Sequence, residues 1–440
     1  MPLLHESDLH GSLQDPVLGA ISFLNEVMGR HPGAISFAPG APRLPHLRDA
    51  DLSHYTDVYL EHLRTERGLS EERARRLLHE YGPSRGLIND VVAAALSRDL
   101  GVPARPEALV ITVGAQEAMV LTLRALCPSP GDLLAVATPG YVGILGAARL
   151  LDIGVVAVPD TDRGPDLGAL RAACRTARAG GRRVRALYVA PDYANPSGTV
   201  MDRADRHALL SVAEEEDLLL LEDGAYAFTA PPGTDVPSLK ALDRDTRVIH
   251  LGTFAKVCLP GARVGFVVAD QPVTGPGGTR LLADDLAALK SMVTVNTSPL
   301  SQAVIAGMLL EHGGSLADLG RDRAQVYREN LAFLLDALDR HCATPELTGA
   351  VSWNRPRGGF FVRMRLPVPV DTALLERCAA GHGVLWTPMA PFWIGDAGDH
   401  ELRLSCSYLD QPAIEEGVRR LAGFLHDIVP TPTHTRTRTS

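Results

Sequence analysis

Lysine is nearly missing from this chain of 440 residues. Lys240, Lys256 and Lys290 are the only three, against 40 arginines. The bias is a compositional habit and names no function, but it makes each lysine worth questioning. Cysteine is scarce as well. Cys127, Cys174, Cys258, Cys342, Cys378 and Cys406 are widely spaced and form no C-x-x-C pair. That excludes a disulfide framework and a zinc site, leaves no metal site to expect, and fits a reducing cytoplasm. Long apolar runs are absent too. The longest uncharged stretch, 291–310, is broken by Asn296, Ser298, Pro299, Ser301 and Gln302, so its apolar part is too short for a membrane span. The first residues carry Glu6 and Asp8 and lack a basic-then-apolar leader pattern. With 52 acids against 43 bases the net charge is −9, which argues against nucleic acid as a partner. The one arginine-rich stretch, 171–185, reads as the exposed end of a helix and the turn after it.

What is present suits a globular protein. The hydrophobic share is 45%, and at this length one large domain plus a smaller one is expected. Seven short apolar runs read as buried strands: 109–113, 133–137, 155–158, 186–190, 218–221, 248–251 and 264–268. Amphipathic stretches such as 115–126 and 203–216 lie between them. Strands alternating with helices imply an α/β domain, a mostly parallel sheet covered on both faces. After Lys290 the pattern changes to a long helical stretch, 321–340, and short strands at 359–366 and 401–405, which suggests a second, α+β domain. The expected divisions are an arm at 1–50, a large domain at 51–315, a small one at 316–429 and a polar, disordered tail at 430–440. The polar, helix-rich segment 51–76 reads as a surface insertion. No internal repeat is visible.

In such a sheet, ligands sit at the carboxyl ends of the strands. Residues just past each run therefore carry the chemistry. Gly114-Ala115-Gln116 follows the first run and opens a helix, where backbone N–H groups can meet an anion. Tyr141 follows the second run, in Thr138-Pro139-Gly140-Tyr141. Asn195 follows 186–190 in P-D-Y-A-N-P-S-G, held extended by Pro196. Asp223, in E-D-G-A-Y ending at Tyr226, lies just past a run of leucines and at that depth needs a cation or several donors. Lys256 ends G-T-F-A-K after 248–251. Where almost every cation is arginine, a lysine at a buried strand end suggests a need for a primary amine, since a guanidinium cannot attack a carbonyl. Lys240 and Lys290 fit surface positions better. Arg263, in P-G-A-R-V-G, offers a fork for a phosphate. An amine, an anion-binding helix start, an arginine, a stacking aromatic and a buried carboxylate are the groups pyridoxal phosphate requires.

In order and spacing these motifs resemble the class I/II aminotransferases, pyridoxal-phosphate enzymes of fold type I, over about 35–428. The resemblance implies a large domain with a seven-stranded, mostly parallel sheet and a smaller α+β domain. It implies that Lys256 is the Schiff-base lysine and proton carrier, that Asp223 pairs with the pyridine nitrogen, and that Tyr226 and Asn195 bond the phenolate oxygen. Tyr141 would stack on the ring. Gly114, Ala115, Gln116, Thr253 and Arg263 would hold the phosphate. Tyr81, in Y-G-P-S-R-G, would reach the phosphate of a second subunit, so a homodimer is implied. Arg403, in E-L-R-L-S, would clamp the substrate carboxylate, with Asn195 beside it, and Gly40, in F-A-P-G-A-P, would lie over the substrate. The chain departs from the family in three places. Ala255 replaces a frequent serine before the lysine. No arginine falls within 290–302, which argues against a dicarboxylate donor. Thr387-Pro388-Met389 and Pro391-Phe392-Trp393 make a bulky apolar stretch expected to shape the substrate pocket.

The expected activity is transfer of an amino group from an α-amino acid to a 2-oxo acid. The alternative is another reaction on the same cofactor: elimination, replacement, decarboxylation, oxidation or carbon–carbon bond formation. A regulatory protein on this fold is disfavoured by the retained Lys256 and Asp223 and by the early start of the resemblance. A nucleotide-binding oxidoreductase is disfavoured because 275–278 lacks the G-x-G-x-x-G spacing.

Overall fold

The seven apolar runs all become strands of one sheet. In chain order the strands are β1 (Ile35–Ser36), β2 (Leu109–Thr112), β3 (Asp132–Thr138), β4 (Gly154–Thr161), β5 (Gly164–Pro165), β6 (Arg183–Val189), β7 (Leu219–Asp223), β8 (Val248–Thr253), β9 (Gly265–Val268), β10 (Pro272–Gly275), β11 (Gly278–Leu281), β12 (Ser352–Trp353), β13 (Phe361–Arg365), β14 (Val384–Leu385), β15 (Thr387–Pro388) and β16 (Glu401–Ser405). The computed structural model describes residues 3–42, 50–230, 234, 236–395 and 397–429. The expected tail at 430–440 lies outside the described residues.

The large sheet runs β2-β9-β8-β7-β6-β3-β4-β5. It has eight strands where seven were expected, because the two-residue β5 folds back antiparallel on the end of β4. The pairs β4–β3, β3–β6, β6–β7 and β7–β8 are parallel, and β9 runs antiparallel between β8 and β2. Its strands are largely buried, β2 and β9 throughout and β8 up to Thr253, as the unbroken apolar runs demand. Helices pack on both faces. Helix Gly114–Leu126 lays Ala118, Met119, Leu121 and Leu123 into the core on one side. Helices Leu167–Ala179 and Arg203–Glu215 cover the other, each started by an aspartate cap: Asp166 accepts from the Ala169 N–H and Asp202 from the Asp205 N–H. Residues 275–278 form the turn of the β10–β11 hairpin.

A four-stranded sheet, β12-β13-β16-β15, forms a second core. Helix Leu316–Cys342 covers it with Tyr327, Leu331, Leu334 and Leu338, spaced at helical period. The chain's beginning is tied to this part. β1 pairs parallel with β14, and Phe37 is fully buried in the same core.

Two expectations fail here. The segment 51–76 is no surface insertion. Helices Leu52–Thr65 and Glu71–His79 bury Tyr59, Leu63 and Ala74 in a core shared with helix Pro299–Glu311. A Cβ on Gly307 would fall 1.9 Å from the Tyr55 carbonyl oxygen, so the two backbones nearly touch. Apolar residues are a minority there, which leaves the average polar while the stripe is not. Nor are Lys240 and Lys290 on the surface; they are 2% and 0% exposed. Lys240 Nζ reaches Asp270 at 2.6 Å and Asp243 at 3.3 Å, and Lys290 Nζ reaches Glu117 at 2.6 Å. In this arginine-rich chain lysine persists where a compact ammonium must fit inside, a rule wider than the amine chemistry inferred from rarity.

Candidate active site

The carboxyl ends of β3, β6, β7 and β8 lie at one edge of the large sheet. Because β9 is antiparallel, its beginning lies at that edge too: Gly265 pairs with both Thr112 and Thr253. Arg263, two residues before β9, is thereby delivered beside Gly114, which follows β2. Both have left-handed backbones, at φ +71° for Gly114 and +53° for Arg263. For an arginine that conformation costs roughly 1 kcal/mol and points to a functional position. A Cβ on Gly114 would lie 2.5 Å from Arg263 Nη2. Only glycine lets the guanidinium lie against the start of helix Gly114–Leu126, where Ala115 and Gln116 present the next N–H groups. Gln116 Oε1 is buried without a hydrogen-bond partner among the described residues. Thr253 Oγ1 accepts the Ala255 N–H at 3.1 Å, which fixes the turn into Lys256.

Lys256 is half-buried on the cleft floor. Its Nζ lies 5.9 Å from the centre of the Tyr226 ring and donates to the Gly40 carbonyl at 2.5 Å. Loss of solvation pulls its ammonium down to about 8, the Arg403 and Arg263 charges add to this, and Asp223 opposes it. Asp223 is buried at the end of β7. It accepts the Tyr188 hydroxyl at 2.5 Å and the Ala225 N–H at 3.0 Å. Burial raises its pKa against the pull of these two donors. So the carboxylate expected to need a cation or several donors has two donors, with the Lys256 charge close by. Burial pushes the Tyr226 phenol well up, with the Tyr141 and Asp223 charges adding to the shift. Tyr141, at the start of helix Val142–Leu150, is pushed up to about 12 by burial and then by Asp223.

Arg403 lies in β16 and faces the same cleft. Nη1 donates to Asn195 Oδ1 at 2.6 Å, and Nη2 donates to the Ala38 carbonyl at 2.8 Å and Thr387 Oγ1 at 3.2 Å. Its guanidinium packs against two rings, 4.4 Å from the centre of Phe361 and 5.2 Å from that of Phe392. Burial lowers its pKa to about 10, which still leaves it charged at neutral pH. Its Nε is buried without a partner among the described residues. Residues 37–41 are strapped over this wall, with Ser407 Oγ donating to the Ala41 carbonyl at 2.8 Å and the Ser405 N–H to that of Phe37 at 2.8 Å.

Lys256, Asp223, Tyr226, Tyr141, Asn195, Thr253, Arg263, Arg403, Gly40 and the 114–116 turn therefore converge on one edge. Tyr81 does not join them; it is 88% exposed on this chain. Sequence reasoning missed Tyr188, although a tyrosine inside an apolar strand has a hydroxyl to satisfy. It placed Thr387 in the stretch expected to shape the substrate pocket but did not foresee its bond to Arg403.

The family model "Aminotransferase class I and II" matches residues 56–421. The (S)-3,5-dihydroxyphenylglycine transaminase of Amycolatopsis orientalis is 47% identical over 419 residues, covering 95% of this chain and 93% of that protein. Among solved structures, the α-aminoadipate aminotransferase of Thermus thermophilus, complexed with N-(5'-phosphopyridoxyl)-L-leucine, superposes with a TM-score of 0.74 at 31% identity, covering 95% and 99% of the two chains. The kynurenine aminotransferase of Pyrococcus horikoshii, in complex with PMP, superposes with a TM-score of 0.80 at 26% identity, covering 97% and 98%.

Proposed function

Because the chain belongs to the class I and II aminotransferases, pyridoxal-phosphate-dependent transferases acting on an amino acid and a 2-oxo acid, we propose that the strand-edge cleft binds the cofactor and that the amino acid is aryl-substituted. The groups present fit pyridoxal phosphate. The Gly114–Arg263 cradle, which a Cβ would fill, suits a phosphate. Gln116 Oε1, in the same turn, and Arg403 Nε are buried without partners among the described residues. The observation that carries the reading is a lysine whose ammonium is pulled down to about 8, set in one cleft with a buried aspartate and a buried arginine.

Pyridoxal phosphate bound there supplies an aldehyde for the lysine and a ring that accepts the electrons left at the substrate Cα. Lys256 provides the amine and, once displaced, carries the proton from Cα, its depressed pKa leaving it able to accept and release it near neutrality. Asp223, held by the Tyr188 hydroxyl and the Ala225 N–H, would face the ring nitrogen and favour a proton there. Tyr226 keeps its phenolic proton over the working pH range and, with Asn195, would donate to the ring oxygen. Tyr141 would stack on the ring. Gly114, Ala115, Gln116, Thr253 and Arg263 would hold the phosphate. Arg403 grips the substrate carboxylate with the bidentate geometry of its fork, and the strap carrying Gly40 keeps water from Lys256.

The aryl assignment rests on the walls. Phe361 and Phe392 flank the clamp, Phe360 and Tyr226 stand behind them at 5.4 Å between ring centres, and no arginine falls within 290–302. The Amycolatopsis orientalis relative named above is a transaminase of an arylglycine. A panel of 3,5-dihydroxyphenylglycine, phenylalanine, 2-aminoadipate and glutamate, each paired with common 2-oxo acids, tests it. The arylglycine is expected to give the highest kcat/KM. A higher value for glutamate or 2-aminoadipate overturns the aryl assignment and leaves the transferase standing.

The same reading makes the enzyme a cytoplasmic homodimer, split into an arm at 1–50 and parts at 51–315 and 316–429. All six cysteines are unpaired. No described helix is long and apolar enough to cross a membrane. Tyr81, Met292, Val293, Val295 and Leu300 expose large apolar side chains, a surface suited to a second copy that receives Tyr81 at its phosphate. Sedimentation is expected to show a dimer of 47.0 kDa chains, and Met292→Glu with Val293→Glu to shift it toward monomer. A fully loaded wild-type monomer would contradict the assignment.

A further inference from the structure

Two of the three lysines have no part in the chemistry above, and one of these lies under the phosphate corner. Lys290, in helix Leu282–Val293, is fully buried. Its Nζ bonds Glu117 Oε2 at 2.6 Å and Thr294 Oγ1 at 2.8 Å, and Thr294 Oγ1 donates to Glu117 Oε1 at 2.6 Å. Glu117 stands in the first turn of helix Gly114–Leu126. Its Oε2 also accepts the N–H of Val113, the residue just before Gly114, at 2.6 Å. On the other side of the same turn Thr112 Oγ1 donates to the Gly114 carbonyl at 2.9 Å. The left-handed Gly114 is thus held from both flanks. One of those holds is a buried carboxylate, the same sign as the ligand the corner would bind.

We propose that Glu117 and Lys290 are positioning residues for the phosphate corner: Glu117 pins the Val113–Gly114 turn so that the N–H groups of 114–116 face one point, and Lys290 cancels the charge that would repel a phosphate there. The proposal rests on reading this corner as the phosphate site. A carboxylate in a first helical turn is favourable for the helix itself, and its reach back to the N–H before the helix satisfies a donor the helix leaves free. Left unpaired beside a dianion it would oppose binding. A buried cation matched to it resolves the conflict without adding a positive charge that would distort the cleft. A pair that served packing alone would affect all ligands of the cleft alike, and this difference separates the two roles.

The test compares pyridoxal phosphate with pyridoxal, which lacks the phosphate, by fluorescence titration of cofactor-free protein. Wild type is expected to prefer the phosphorylated form. Lys290→Met should weaken pyridoxal phosphate by about tenfold or more, the scale of one uncompensated buried charge, and leave pyridoxal nearly unchanged. Adding Glu117→Gln to Lys290→Met should restore most of the preference. An equal loss for both ligands, no loss for either, or no recovery in the double variant overturns the proposal and leaves a packing pair. If Lys290→Met does not fold, Glu117→Gln alone decides. It retains the cation and should bind pyridoxal phosphate at least as tightly as wild type, and a loss of about tenfold there is equally fatal. A wild type with no preference for the phosphorylated form would fault the reading of the corner itself.

Discussion

Lys256→Ala is expected to abolish the visible absorption of the cofactor-loaded enzyme and to cut transamination by about a million-fold, the scale of losing a covalent nucleophile from groups that act as a unit. Lys256→Arg should do the same. It keeps a cation in place but cannot supply a neutral amine, so parallel loss in both variants separates amine chemistry from charge. The pH dependence of loading checks the mechanism independently of turnover. The neutral amine is the reactive form. Lost solvation first, then the charges of Arg403 and Arg263, bring its pKa down to about 8. The rate at which cofactor-free protein captures pyridoxal phosphate should therefore rise with pH through about 8 and level off above it. An ordinary lysine would go on gaining to about 10.4. A rate that goes on climbing toward about pH 10 instead of levelling off above about 8, or an absorbance band retained by Lys256→Ala, would remove Lys256 from the centre of the site.

Much of this site was legible because of where sheets bind ligands. Every apolar run but 264–268 ended at the edge that carries the chemistry, so looking just past the runs found Gly114, Tyr141, Asn195, Asp223, Tyr226 and Lys256 without any side-chain geometry. Arg263 was the harder case. It precedes a strand, and only the antiparallel direction of β9 brings it to the same edge. Contacts between distant segments stayed hidden. Thr387 and the Ala38 carbonyl meet Arg403 through pairings set by the second core, and nothing local to either announces it. The lysines show how composition can mislead while pointing to the right residue. Rarity marked Lys256, but all three lysines lie partly or wholly inside, two of them in ion pairs. A pair such as Lys290–Glu117 spans 173 positions and reads, residue by residue, as two solvated charges. The stripe of segment 51–76 escaped notice because its polar majority set the average.

The buried aspartate gives the second large effect. Asp223→Ala is expected to leave the fold intact and reduce kcat by about 10³-fold, the scale of one preorganised electrostatic contact. Folding should survive because the change removes a charge that burial already disfavours, as the raised pKa indicates. What remains is a Tyr188 hydroxyl without its acceptor, which costs about 1–3 kcal/mol. Asp223→Asn keeps the shape and loses the charge, so it should fall nearly as far. Tyr188→Phe keeps the carboxylate and removes one donor at 2.5 Å. It should lower kcat only about tenfold, in line with a single bond to a charged group. The two sites also predict the acid limb of the pH–rate profile. Asp223 protonates at a higher pH than a surface aspartate, and the protonated acid no longer attracts a proton on the ring nitrogen. Activity should therefore decline as pH falls through that raised value. Removing the Tyr188 donor withdraws support from the charged form, so the decline should begin at still higher pH in Tyr188→Phe. An acid limb that does not move in Tyr188→Phe, with near-normal turnover in Asp223→Ala, would mean that another group faces the ring nitrogen.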